Sequence, residues 1–162
     1  MDLLYEKGRV RLYYIPTERF KKEALTVSFC APLQKETAYR NALIPMVLNR
    51  GCRPYPTSRE MTERLMRLYG AGFSVDIDKR GEIQLLQFQM DFASPRFTRS
   101  APELASEAFR YLISVLTDPV TNARGTAFQK DYFEQERLFA KVSRNDTAVE
   151  PFCLRSLRDI RS

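Results

Sequence analysis

The 162-residue chain contains no histidine. Without an imidazole it has no ordinary general base near neutral pH, and it lacks the ligand type that leads most catalytic zinc sites. Cysteine is scarce as well: Cys30, Cys52 and Cys153 are far apart, odd in number and without a C-x-x-C pair. That usage argues against a disulfide framework, fits reduced thiols in a cytoplasmic protein, and gives no spacing that favours a thiolate metal site. No apolar run approaches the roughly 18 residues of a membrane span. The opening M-D-L-L-Y-E-K-G lacks the basic-then-apolar layout of a secretory signal. The phosphate-loop patterns G-x-x-x-x-G-K-[ST] and G-x-G-x-x-G are missing, and so is the nucleophile pattern G-x-S-x-G. Nucleotide-loop and serine-hydrolase chemistries fall with them.

What is present is a mildly basic chain, with 26 Lys and Arg against 20 Asp and Glu and a net charge of +6. The charges are interspersed, which reads first as a solvated surface and only second as a face for an anionic partner. Residues 9–14 alternate, with Val10, Leu12 and Tyr14 on one face and Arg9, Arg11 and Tyr13 on the other. Residues 24–31 alternate again, with Leu25, Val27, Phe29 and Ala31 facing one way. Both stretches predict half-buried strands, and their charged connection suggests that they pair with each other, antiparallel.

An apolar helix is expected from about Thr37 to the Gly51 turn, with Pro45 inside it. Proline there removes a backbone donor and clashes with the preceding turn, at about 3 kcal/mol, so a kinked or shortened helix is expected. Thr57 and Glu60 form a capping box for a second helix, whose Met61, Leu65 and Leu68 make a core stripe and whose end is marked by Gly70 and Gly72. A hairpin follows: Phe73, Val75 and Ile77 alternate inward, K-R-G-E turns, and Leu86, Phe88, Met90 and Phe92 return on one face. After a loop at 94–100, Ser100, Pro102 and Glu103 open a helix that buries Leu104, Ala108, Tyr111, Leu112 and Val115 and closes at Asp118 and Pro119. Residues 128–142 place Phe128, Tyr132, Phe139 and Val142 on one stripe. Thr147 and Glu150 cap a last helix through Phe152, Leu157 and Ile160. The order ββααββαα predicts an α+β two-layer sandwich, with helices on one face of an antiparallel or mixed sheet, in one domain over residues 1–162.

Three segments carry a resemblance. Residues 37–51 read T-A-Y-R-N-A-L-I-P-M-V-L-N-R-G, the second helix ends in L-Y-G-A-G-F, and a downstream helix holds D-Y-F-E-Q-E-R. Together they resemble the insulinase/pitrilysin-type metallopeptidases, whose inverted zinc motif H-x-x-E-H lies on a helix in this place. By that resemblance Val47, Leu48, Asn49, Arg50 and Gly51 match the tail that follows the motif. Its two histidines and its glutamate fall on Ala42, Met46 and Pro45. The third zinc ligand falls on Glu136, and its usual upstream companion on Gln129. Taken by itself, Glu136 beside Arg137 reads as a solvated surface charge.

The resemblance therefore implies a peptidase scaffold without catalytic residues, metal or cofactor, most similar to bacterial non-catalytic members of that superfamily. It covers most of the chain but only as the first part of a half-module, which implies a truncated unit. It also implies a partner: another peptidase-like subunit, a second copy of the chain, or an extended peptide. One alternative is a metallopeptidase whose ligands are completed by another chain. The other is a basic nucleic-acid binder, which would need Tyr13, Tyr14 and Tyr55 to line a basic surface. Nucleic acid is disfavoured by the interspersed charge, and a membrane by the absence of a span.

Overall fold

The computed structural model describes residues 1–97, 103–125 and 127–145. Its elements are β1 (Asp2–Lys7), β2 (Val10–Tyr14), β3 (Lys22–Pro32), α1 (Lys35–Leu48), α2 (Ser58–Arg67), β4 (Gly72–Arg80), β5 (Ile83–Ala93), α3 (Leu104–Thr117) and α4 (Lys130–Asn145). The fold is α+β. The capping expected at Thr147 and Glu150, the helix through Ile160, Ser100, Pro102, Cys153, and the side chains of Phe139 and Val142 all lie outside the described residues.

A three-stranded antiparallel sheet in the order β3-β5-β4 carries the core. Its register puts Val27 and Val75 on either side of Phe88, and Leu25 and Phe73 on either side of Met90. Alternation therefore sends one apolar face toward the helices, while Ser28, Gln87 and Asp76 share the other. Phe88, Met90 and Phe92 pack with Met61 and Leu68 around α2 and with Leu104, Ala108, Tyr111, Leu112 and Val115 of α3. Truncating a side chain as buried as Phe88 would cost about 3–5 kcal/mol. Gln84 is the polar member of this inward row. Its Nε2 donates to the Ala38 carbonyl at 2.9 Å, and its Oε1 accepts from Asn41 Nδ2 at 3.3 Å. These bonds fix the height of α1 against β5.

The first two predicted strands do not pair with each other. β2 pairs with β1, which sequence alternation did not reveal, and β3 pairs with β5. The reason lies in Leu3, Leu4 and Tyr5, three consecutive apolar residues that break the period; a register shift between Leu3 and Tyr5 absorbs the extra one. Nor is the first helix shortened. It begins at Lys35, earlier than Thr37, and runs through Pro45 to Leu48. Pro45 lies within the last turn, where the missing N–H removes one bond, and the helix closes beyond it through Asn49 N–H on the Pro45 carbonyl at 3.0 Å.

The capping box forms as expected. Thr57 Oγ1 accepts from the Glu60 N–H at 3.2 Å, and the Glu60 carboxylate accepts from the Thr57 N–H at 2.9 Å. At the other end of α2, Tyr69 and Gly70 adopt positive φ of 58° and 69°. Glycine suits the second of these positions, and Tyr69 carries the strain of the first.

Candidate functional site

The end of α1, the start of α2, β4, α3 and α4 converge on an open cavity of about 430 Å³. Met46, Asn49 and Arg50 come from the α1 end, Phe73 and Val75 from β4, Tyr111 from α3 and Glu136 from α4. Its lining mixes apolar and polar side chains, with Met61, Tyr111 and Glu136 buried and Asn49 and Ser58 exposed. Of Ala42, Pro45, Met46 and Glu136, the positions matched to the zinc motif and the third ligand, Met46 and Glu136 line this cavity. Ala42 does not line the cavity: it is buried beneath the sheet against Ile77 and Leu86. Pro45 is buried in the helix and does not line it either.

Glu136 is not a solvated charge. It is only 5% exposed. A carboxylate this deep needs a counter-charge and hydrogen-bond donors. Its helical neighbour Arg137 pairs instead with Glu134, at 3.6 Å. Glu136 Oε1 accepts a hydrogen bond from Arg50 Nε, contributed from 86 residues earlier in the chain. From the sequence Arg50 reads only as part of the tail that follows the motif, because nothing local to either residue indicates the pairing.

The turn that delivers Arg50 is tightly specified. A Cβ on Gly51 would sit 2.3 Å from the Pro56 carbonyl oxygen, so only glycine admits this approach of two backbone segments. Cys52 and Tyr55 exchange N–H···O bonds of 3.0 and 2.9 Å, and the Arg53 N–H reaches the Asp118 carbonyl at 2.8 Å. Tyr132 Oη donates to the Pro56 carbonyl at 2.7 Å, pinning α4 to the same turn. Below it Cys52 is fully buried, and desolvation pushes its thiol pKa up.

Tyr111 forms the aromatic wall. It stacks on Tyr55 with centroids 5.7 Å apart and meets Phe73 edge-on at 5.7 Å. Its hydroxyl is buried without a hydrogen-bond partner among the described residues. Burial pushes its pKa well above the usual tyrosine value.

Metal chemistry would need donors that this arrangement does not offer. Catalytic zinc takes three protein ligands, typically nitrogen or carboxylate oxygen. Here a thioether, an alanine methyl and a carboxylate held by a guanidinium stand at the positions the resemblance assigns. Among the described residues, no three His, Cys, Asp or Glu side chains gather closely enough to hold an ion.

The chain is similar to a metalloprotease described as inactive. A curated protein of Bacillus subtilis strain 168, named as the probable inactive metalloprotease YmfF, is 29% identical over 136 residues, which is 84% of this chain and 32% of that protein. The solved crystal structure of a conserved protein from Enterococcus faecalis V583 superposes with a TM-score of 0.74 at 26% identity, covering 79% of this chain and 29% of that one. The chain thus spans about a third of the length of these relatives. No protein-family model matches it. No helix among the described residues is long and apolar enough to cross a membrane.

Proposed function

We propose that this chain is a non-catalytic insulinase-type metallopeptidase homologue that binds an extended peptide or a partner subunit beside an active peptidase. The observation that carries the reading is that Met46 and Glu136, the positions matched to a histidine ligand and to the third ligand, line one cavity with no imidazole between them. The scaffold that would hold a metal is kept while its donors are gone. The relative described as inactive supports the same reading.

Binding needs no catalytic residue. β4 is an edge strand among the described residues, and its Phe73 and Val75 line the cavity. An extended peptide added to that edge would gain backbone hydrogen bonds and could lower an apolar side chain onto Phe73, Val75 and Tyr111. The test uses a fluorescein-labelled polypeptide, reduced and alkylated so that it stays unfolded. Saturable anisotropy is expected, with no new fragments by mass spectrometry whether zinc is added or chelated. Val75→Lys, which places a charge on the cavity wall, should weaken binding by about tenfold or more. Cleavage above a chelator-treated control would restore the reading in which another chain completes the ligands. Salt-dependent binding to nucleic acid with none to peptide would favour the basic-surface reading.

A further inference from the structure

Among the described residues, the Arg50–Glu136 pair joins segments that share little else polar. α4 rests on α1 through Phe133, which packs on Leu43 as Tyr39 and Met46 also do, an apolar contact. It reaches the turn after α1 through the Tyr132 hydroxyl, a neutral contact. The guanidinium on Glu136 is the charged tether among the described residues. Arg50 is itself held: its carbonyl accepts from Ser58 Oγ at 3.3 Å, and its N–H bonds to the Val47 carbonyl at 3.0 Å.

Set against the metal that the resemblance would imply, the site has been filled as well as stripped. Ala42 is 1% exposed between Ile77 and Leu86, so the sheet leaves no space for an imidazole there. Met46 offers a soft thioether, a poor donor for zinc beside imidazole or carboxylate. The carboxylate is bonded to a planar donor whose single positive charge neutralises it, so no excess negative charge is left to attract a dication.

Building on the reading of Glu136 as a former ligand position, we propose that Arg50 is an internal cation. Its guanidinium closes the α1–α4 junction that a metal would otherwise bridge, and it keeps divalent ions off Glu136.

The experiment keeps Ala42 and works at Met46, which is half-buried and faces the cavity. Zinc is titrated against a chromophoric chelator into Met46→His and into Met46→His with Arg50→Met. The second chain should bind zinc at least about tenfold more tightly, because a freed carboxylate now joins the imidazole. Adding Glu136→Gln should erase the gain. Equal zinc affinity in the two chains, strong or absent, overturns the proposal. A second measurement needs no metal. Arg50→Met should lower the thermal midpoint by stranding a buried charge, and Glu136→Gln in the same chain should recover part of that loss. Losses that simply add overturn it too. Peptide binding and the lack of turnover are read on the unmodified chain, so the proposed function stands or falls separately.

Discussion

At the scale of single residues, the cavity wall holds a polar atom that stability alone would not select. The Tyr111 hydroxyl is buried and unpartnered among the described residues, and such a group costs roughly 1–3 kcal/mol in lost hydration. Tyr111→Phe keeps the ring and its contacts with Tyr55 and Phe73. It should therefore raise the denaturant midpoint, or at worst leave it unchanged. The alkaline limb gives an independent check. Burial raises the folded-state pKa above the unfolded value of about 10, so the neutral tyrosine favours folding below that pH. That stabilisation is lost as pH rises past about 10, at up to about 1.4 kcal/mol per unit from this group. The parent chain should lose stability faster than Tyr111→Phe above that pH. Parallel alkaline curves would mean that the hydroxyl is hydrated in solution.

At the scale of elements, the turn after α1 ranks above the helices that it joins. Gly51→Ala must push a backbone carbonyl now 2.3 Å from the new methyl, which should cost about 1–3 kcal/mol, read as a midpoint shift with unchanged m-value. Thr57→Ala, which removes one half of a capping box, should cost only about 1 kcal/mol. If Thr57→Ala proved the more damaging, the turn would be looser than its bonds imply. The sequence disclosed these elements unevenly, for physical reasons. The β4–β5 hairpin was legible because Phe73, Val75, Ile77 and Leu86, Phe88, Met90, Phe92 keep strict period two on a one-sided sheet. Gln84 obeys the same parity, and its burial could have been read from it. β1 was missed because Leu4 sits in an irregular register. Of the candidate site, the place of Met46 and Glu136 was legible only through resemblance. Glu136's burial was not, because its counter-charge is 86 residues away and charge pairing at that distance leaves no local pattern.

At the scale of the molecule, the β1–β2 hairpin is out of keeping with the rest. Its cross-strand register puts Tyr5 opposite Leu12 and Lys7 opposite Val10, so Tyr5, Val10, Leu12 and Tyr14 share a face. The opposite face carries the Arg11–Glu6 ion pair at 2.7 Å. The first face also carries Asp2 and Lys7, and the second also pairs Leu3 with Tyr13, so apolar side chains stand on both sides of the ribbon. Yet Val10 is 63% exposed and Leu12 54%, and Leu3, Leu4, Tyr5, Tyr13, Tyr14 and Ile15 are exposed too. A two-stranded ribbon is marginal in water without a surface to cover it, and so many exposed large apolar side chains on one short hairpin point to a contact site. The expected outcome is concentration-dependent association of the purified chain, seen as a rising scattering mass together with binding of an apolar dye. Val10→Lys with Leu12→Lys should reduce both signals while leaving the thermal midpoint of the β3-β5-β4 core unchanged, because neither side chain reaches that core. Adding a peptidase-like partner subunit should suppress dye binding in the parent chain and slow amide exchange across β1 and β2. A strictly monomeric parent that binds no dye at high micromolar concentration would mean that the hairpin folds back on its own chain in solution, and the partner surface would have to be sought along the open edge of β4 instead.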